Sequence, residues 1–346
     1  MHKLTQLGPR GLPVSYQVRD VRISPGVVLA PMEGVTDRIF RRLIRRVGGA
    51  GMTCTEFVPG RSLHAGHGKP WDTVQFDDDE RPISVQIYGR DPLDLADGAL
   101  VVQDLGATFL DINMGCPSKK VCSHSGGSSL LREPLLVAEI VRAVRKAVTM
   151  PMTVKMRTGF DLDQKNGADI AYICQEEGAE AVTMHWRTRA DLYGGQRDIE
   201  QIALAVQRLR IPVIGNGDIV DIASAEAMFR DTGCDGLMIG RGAMGDPWVF
   251  HKIASWLRGE DAPHTRAVER IGLLHQLLDD LVDHLGPGRK ALGKFKQVSK
   301  YFSRNLPDAG FQTAEELTMA ILHAEDVEEV EGALLRYRAA LRNVAA

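Results

Sequence analysis

Cys116 precedes Pro117 and a short polar, basic stretch, Ser118-Lys119-Lys120-Val121. An accessible thiol there can act as a general acid or a nucleophile, although most cysteines are simply small buried hydrophobes. Cys122, six residues on, is the alternative reactive thiol, whereas Cys54, Cys174 and Cys234 lie in apolar contexts and read as core. Two glycine-bearing turns, Gly215-Asn216-Gly217-Asp218 and Gly240-Arg241-Gly242, end short apolar runs. Backbone N–H groups approach an anion closely at such turns, and Arg241 adds positive charge, so the pair reads as a phosphate site; tight turns alone are the alternative. A phosphorylated cofactor would then meet Gln86 and Lys155, both embedded in apolar runs. Lys155 suits either the electron-rich N1–O2 edge of a flavin or a Schiff base. His185 could touch the same ring, orient substrate or be structural.

Those residues share a position: each ends, or nearly ends, an apolar run rich in β-branched residues. The runs are 27–30, 52–57, 83–88, 109–114, 152–156, 181–185, 212–215 and 236–240. Most are apolar throughout, as expected of a parallel sheet covered on both faces. Segments of helical period separate them: 38–47 behind Thr36-Asp37, 92–103 opened by Asp91-Pro92, 135–148 opened by Pro134, then 168–177, 199–208, 221–230 and 248–257. Residues 60–80, rich in Gly, His and Asp, define no clear helix. Eight strand-then-helix units predict an α/β protein, a (β/α)₈ TIM barrel, over a doubly wound open sheet. In such barrels functional groups project from the C-terminal strand ends, where these polar residues cluster. Residues 240–245 also match GxGxxG, but a nicotinamide fingerprint needs a following strand, and only a polar linker and helices come after Leu257.

The predicted organisation is an N-terminal leader or edge segment at 1–26, a barrel at 27–258 and a C-terminal all-helical domain at 262–346, with helical period at 271–285, 289–306 and 314–341. Between Gly286 and Asn305 lie Arg289, Lys290, Lys294, Lys296, Lys300 and Arg304 with no acid. Lys296, Lys300 and Arg304 are spaced to share a face opposite Leu292, Phe295, Val298 and Phe302, which suits a phosphate backbone as well as a solvated helix. Residues 306–346 compensate with eight acids against three arginines. Arg38, Arg41, Arg42, Arg45 and Arg46 form a second cationic cluster. The formal charge of −3 over 346 residues leaves no global basic footprint, so a nucleic acid would need a local patch. At 44% hydrophobic and 25% charged residues the chain is globular rather than disordered. Five scattered cysteines without CxxC predict a reduced, cytoplasmic protein with no zinc module or other metal. No apolar run is long enough for a membrane span and no signal-peptide core is evident.

LAPMEGVTDRIFR, TEF, DINMGCPSKKV, SGGSSLL, VKMRTGFD, MHWRTR, GNGDI and MIGRGAMGDPW, in that order from about residue 27 to 250, resemble the tRNA-dihydrouridine synthase family. RKALGKFKQVSKYF is more loosely similar to that family's helical RNA-binding domain. The resemblance implies a barrel that holds FMN on Pro31, Met32, Glu33, Gln86, Lys155, His185, Asn216, Gly217, Asp218, Gly240 and Arg241. It implies that NADPH reduces the flavin, that hydride passes to C6 of a uridine in tRNA, and that Cys116 protonates C5. Asn113, Arg157 and Tyr193 match positions that contact the uracil. Arg157 and Asn113 suit the charge that builds on the uracil carbonyls, and a thiol is protonated at neutral pH. The target base must leave its stack to reach a barrel mouth.

One residue departs from the pattern: the family usually has Gly or Ala after the histidine of the sixth strand, and here Trp186 stands there. An indole could crowd the pocket or stack on base or flavin. The expected partners are tRNA and NADPH, with the chain a monomer. Two rivals remain: a flavin barrel reducing a free pyrimidine or other enone, for which 262–346 would be dispensable, and an RNA-binding protein whose barrel is only a scaffold.

Overall fold

The computed structural model describes residues 3–122, 126–309 and 313–344. Residues 1–2 of the leader, Ser125 of the SGGSSLL run and the last two residues of the tail lie outside them.

Eight parallel strand positions form the barrel. In chain order after three N-terminal strands, β1 (Thr5–Leu7), β2 (Pro13–Val18) and β3 (Val21–Ile23), they are β4 (Val27–Leu29), the split pair β5 (Thr53–Cys54) and β6 (Val58–Pro59), β7 (Ile83–Tyr88), β8 (Phe109–Met114), β9 (Met152–Arg157), β10 (Ala181–His185), β11 (Val213–Asn216) and β12 (Gly236–Ile239). Each barrel strand pairs in parallel with its sequence neighbours, and β12 returns to β4. Backbone bonds from Gly51 N to Val27 O (2.8 Å) and from Leu29 N to Met52 O (3.0 Å) join the first and second positions and close the sheet on itself. The predicted single run at 52–57 is broken because Glu56 leaves the ladder to accept a bond from Gly34 N (2.6 Å).

Helices cover the outside: α1 (Arg38–Val47), α2 (Lys69–Thr73), α3 (Pro92–Asp104), α4 (Lys119–Cys122), α5 (Pro134–Ala147), α6 (Gly167–Glu176), α7 (Glu200–Arg208), α8 (Ile222–Thr232), α9 (Arg241–Gly245) and α10 (Val249–Leu257). Local chemistry sets several ends. Asp37 accepts from Phe40 N at the start of α1, and Asp91 accepts from Leu93 N and Asp94 N around Pro92. Gly233 ends α8 at φ 69°, a left-handed position that favours glycine.

The N-terminal stretch is a three-stranded antiparallel sheet. Its Tyr16, Val18 and Ile23 are buried against Val28, Phe109, Ile214 and Met238, so it plugs the barrel end opposite the strand C-termini. Beyond the barrel lie α11 (Ala267–Leu285), α12 (Arg289–Phe302), α13 (Ala314–His323) and α14 (Val327–Val344). The continuous period read over 314–341 is two helices: Ala324 leaves the helical region at ψ 136°, and Asp326 restarts it by accepting from Glu329 N. No glycine or proline marks that break, which is why the period ran through it. Leu292, Phe295, Val298 and Phe302 lie on the buried face of α12, as the spacing predicts, and Ala291 and Ser299 join them. Among the described residues no helix is long and apolar enough to cross a membrane, and no cluster suited to a metal ion occurs.

Candidate active site

Register lays the site out in rows. Gln86, Asp111 and Thr153 are neighbours across β7, β8 and β9. Asn113 lies beside Lys155, and Arg157, His185 and Asn216 form a row toward the C-terminal rim. Alternate residues of each strand thus face the same interior, where a polar side chain must find a partner or carry a cost.

Four side chains pass polarity up the barrel. Thr153 Oγ1 donates to Asp111 Oδ1 (2.5 Å) and Gln86 Nε2 to Asp111 Oδ2 (2.5 Å). Gln86 Oε1 then accepts from Asn113 Nδ2 (2.7 Å), and Asn113 Oδ1 accepts from Gly115 N (3.1 Å) and Cys116 N (2.9 Å). A carboxylate only accepts, so Asp111 fixes which way both amides point. Burial raises the Asp111 pKa, opposed by the bonds from Gln86 and Thr153. Its anchoring role was not read from the sequence, although the two-residue spacing of Asp111 and Asn113 on one strand was the available signal.

Lys155 stands apart: among the described residues its ammonium has no hydrogen-bond or ion-pair partner. Burial, then the charge of Arg157, lowers its pKa to about 8, against the pull of Asp111. Arg157 is 4% exposed; Nε donates to Gly115 O (2.9 Å) and Nη1 to Thr188 O (2.7 Å) and Leu192 O (3.0 Å). Burial and the cations Lys155 and Arg157 hold His185 well below its usual pKa. Its Nδ1 accepts from Arg187 N (3.1 Å), which leaves the proton on Nε2 as a donor. Tyr193 is exposed, under the Arg241 guanidinium at 5.2 Å.

The last two turns meet at Asp218. Arg187 grips it with two bonds (3.1 and 2.6 Å) and Arg241 with a third (2.6 Å). Burial works against the Asp218 charge, but the two guanidiniums outweigh it and keep its pKa low. Two cations face one carboxylate, so this cluster keeps a net positive charge, and Arg187 was not assigned from sequence. Met32 lies beside Gly240, whose hypothetical Cβ would be 3.5 Å from Met32 Sδ, so the first and eighth strand ends adjoin. Pro31 is half-buried, Glu33 is exposed and Asn216 Nδ2 donates to Met238 O (2.7 Å).

Cys116 is half-buried and reduced. Burial raises its pKa to about 11, with the Ser118 N–H opposing and the Glu33 charge assisting. Cys122 Sγ lies 3.5 Å from Cys116 O and from Ser128 Oγ. Trp186 does not stand open in the mouth: it is 3% exposed and packed in the core, with Arg187 over its ring at 4.0 Å. Its ring lies against Gly217, at φ 126°, where a Cβ would come 2.0 Å from Trp186 Cδ1. A glycine at 217 is what makes room for the indole.

The basic residues of the tail fare unequally. Arg289, Lys290 and Arg304 are exposed. Lys296 Nζ donates to Ala324 O (2.5 Å), and Lys294 pairs with Asp37 (2.7 Å), so neither is free. Lys300 lies over the Tyr301 ring at 4.9 Å. The five arginines of α1 are also spoken for: Arg38 and Arg42 by Asp77, Arg41 by Glu80, Arg46 by Asp280, and Arg45 by the carbonyls of Ala50 and Glu80. Arg41 and Arg45 are thus turned inward, while Arg38, Arg42 and Arg46 stay partly exposed beside their acids.

The family model described as dihydrouridine synthase (Dus) matches residues 28–344. The chain is 45% identical over 267 residues to tRNA-dihydrouridine synthase B of Pseudomonas aeruginosa, covering 75% of this chain and 80% of that protein. It is 41% identical over 304 residues to tRNA-dihydrouridine synthase B of Proteus vulgaris, covering 86% and 90%. A probable tRNA-dihydrouridine synthase of Rickettsia bellii is 36% identical over 295 residues, covering 85% and 90%.

Proposed function

The chain belongs to the dihydrouridine synthase family, and from that premise we propose that it reduces the C5=C6 bond of uridines in tRNA to 5,6-dihydrouridine, with FMN as resident cofactor and NADPH as reductant. The observation that carries the cofactor assignment is Lys155, an ammonium inside the barrel mouth without a counter-ion among the described residues. Such a group suits the electron-rich edge of a flavin ring, and Gln86 on β7 and His185 on β10 face the same interior. The cationic rim of Arg187, Asp218 and Arg241, with the turns at 216–218 and 240–241, suits the phosphate. Pro31, Met32 and Glu33 line the adjoining turn. Bound there, the reduced flavin supplies hydride.

The protein's part is to bind, orient and protonate. Charge grows on the uracil carbonyls as C6 is reduced, and Arg157, whose other nitrogens are tied to carbonyls, offers Nη2 to it. Asn113 has one N–H committed to Gln86 and a second to offer. Cys116 keeps its proton, because burial has moved its pKa to about 11, and delivers it from Sγ to C5. Tyr193, exposed on the rim, contacts the base. The helical unit, residues 262–346, binds the tRNA through Arg289, Lys290 and Arg304, with Lys300 at its edge. We place the enzyme with its tRNA in the cytoplasm.

Cys116→Ala tests the assignment. The variant should bind FMN and accept electrons from NADPH as the parent does, yet form dihydrouridine at least about 10²-fold more slowly. Undiminished dihydrouridine formation would move the acid elsewhere, with Cys122 the next thiol to substitute. A purified protein that is colourless and releases no FMN on denaturation would defeat the cofactor assignment.

A further inference from the structure

As one of the basic residues between Gly286 and Asn305, Lys294 is expected to face an RNA phosphate, but its surroundings point inward. Its side chain is 16% exposed. Nζ donates to the carbonyl of Gly34 and lies 2.7 Å from Asp37 Oδ2. Gln297, three residues along α12, closes over the same glycine: a Cβ on Gly34 would lie 3.1 Å from Gln297 Nε2, and Gly34 holds φ 74°. The helical unit thus touches the turn between β4 and α1 at two side chains.

That turn is gripped from its other sides as well. Gly34 N donates to Glu56 Oε2 (2.6 Å), and Met32 N donates to Thr36 Oγ1 (2.9 Å). Asp37 also caps α1 through Phe40 N (2.9 Å). Two carboxylates, Glu56 and Asp37, therefore lie about this turn close enough to feel each other's charge, and Lys294, bonded to Asp37 and Gly34 O, is the cation beside both. Removing it leaves like charges facing each other in a half-buried place. The turn carries Met32, which lies against the eighth strand end at Gly240. A shift in the turn is a shift in the floor of the mouth.

We propose that Lys294 is a positioning residue: through Gly34 and Asp37 it holds the turn after the first barrel strand from the helical unit, and it makes no contact with RNA phosphate. The strut stands on geometry alone; its consequence for the cofactor rests on the reading of the mouth as a flavin site.

The experiment uses the full chain as Lys294→Met, Lys294→Arg, Asp37→Asn and, for comparison, Lys290→Met. Amide hydrogen exchange over residues 31–40, measured without cofactor, should quicken roughly tenfold in Lys294→Met and stay near the parent in Lys294→Arg. FMN affinity, read by fluorescence titration, should fall about three- to tenfold in Lys294→Met. The dependence of tRNA affinity on salt should keep the parent's slope, whereas Lys290→Met should lower it by about one. Asp37→Asn keeps the capping oxygen but removes the charge, and it should quicken exchange over the same residues even if Lys294→Met does not fold. Unchanged exchange in Lys294→Met, or a salt slope lowered as by Lys290→Met, would overturn the proposal. Absence of FMN binding in the parent would defeat the functional reading instead, and exchange would still decide the strut.

Discussion

An ammonium buried without a counter-ion is held in its charged form only weakly, and an anionic or electron-rich ligand strengthens it. Lys155 is in that position, with a pKa lowered to about 8 chiefly by burial. Below pH 8 it is already charged when the flavin arrives. Above pH 8 it is mostly neutral, so binding must recruit a proton and affinity must fall, at the limit tenfold per pH unit. FMN affinity of the parent is therefore expected to be flat from pH 6.5 to about 7.5 and to drop toward pH 9.5. Lys155→Met should bind FMN weakly with little of that dependence. The same alkaline loss in Lys155→Met would assign the titration to another group. The polar chain below it explains why Lys155 has no partner among the described residues: Asp111, the nearest carboxylate by register, spends both oxygens on Gln86 and Thr153. Gln86 and Lys155 are legible in sequence as polar residues in apolar runs, but which side chains satisfy one another is not. That pairing is fixed by register between strands some 25–42 residues apart, which no local pattern carries.

Helix α1 makes the same point for a whole element. Its start, its end and its apolar stripe were legible, because capping by Asp37 and the positions of Ile39, Phe40, Leu43 and Ile44 are local properties. The fate of its arginines was not, because a charge run on a helix normally faces water. Arg41 is wholly buried, with Nε 2.7 Å from Glu80 Oε2 and further bonds to Thr36 O and Gln75 O. The pair locks α1 to the loop before β7, the region of Gly, His and Asp that gave no clear helix. A buried ion pair adds little over an apolar one, yet breaking it strands a charge. Glu80→Ala is therefore expected to cost about 3–5 kcal/mol, and Arg42→Ala, whose exposed nitrogen is 3.9 Å from Asp77, under about 1 kcal/mol. Urea denaturation of the two variants distinguishes them. Similar small losses in both would mean that Arg41 and Glu80 are solvated in solution. Trp186 shows the opposite limit. As a residue out of pattern it was visible in the sequence, but its direction was not, since the space it fills is created by a glycine 31 positions later.

For the molecule as a whole, eight strands and their order could be read because a sheet covered on both faces makes each strand an apolar run. The plug of β1–β3 could not, since its strands are short and irregular, with a register shift between Gln6 and Leu7. Charge distribution was legible as totals and misleading in detail. With a formal charge of −3 the protein exerts no long-range attraction on RNA, so the proposed tRNA binding rests on the few cations that remain exposed at the helical unit. Of the six on α12 and just beyond it, Arg289, Lys290 and Arg304 are exposed, while Lys294 and Lys296 are bonded within the fold. Three phosphate contacts imply a slope of log affinity on log salt of about −2.7, hence roughly a 40-fold loss between 50 and 200 mM salt. Lys290→Met and Arg304→Met should each weaken tRNA binding and lower that slope by about one, leaving FMN affinity untouched. Lys296→Met, whose ammonium bonds Ala324 O, should leave the slope alone and lower thermal stability instead. Filter binding across a salt series reads all three variants together. Equal slope changes at Lys296 and Lys290 would mean that the tail opens on RNA and frees its buried cations; no change at Lys290 and Arg304 would place the RNA on a different face.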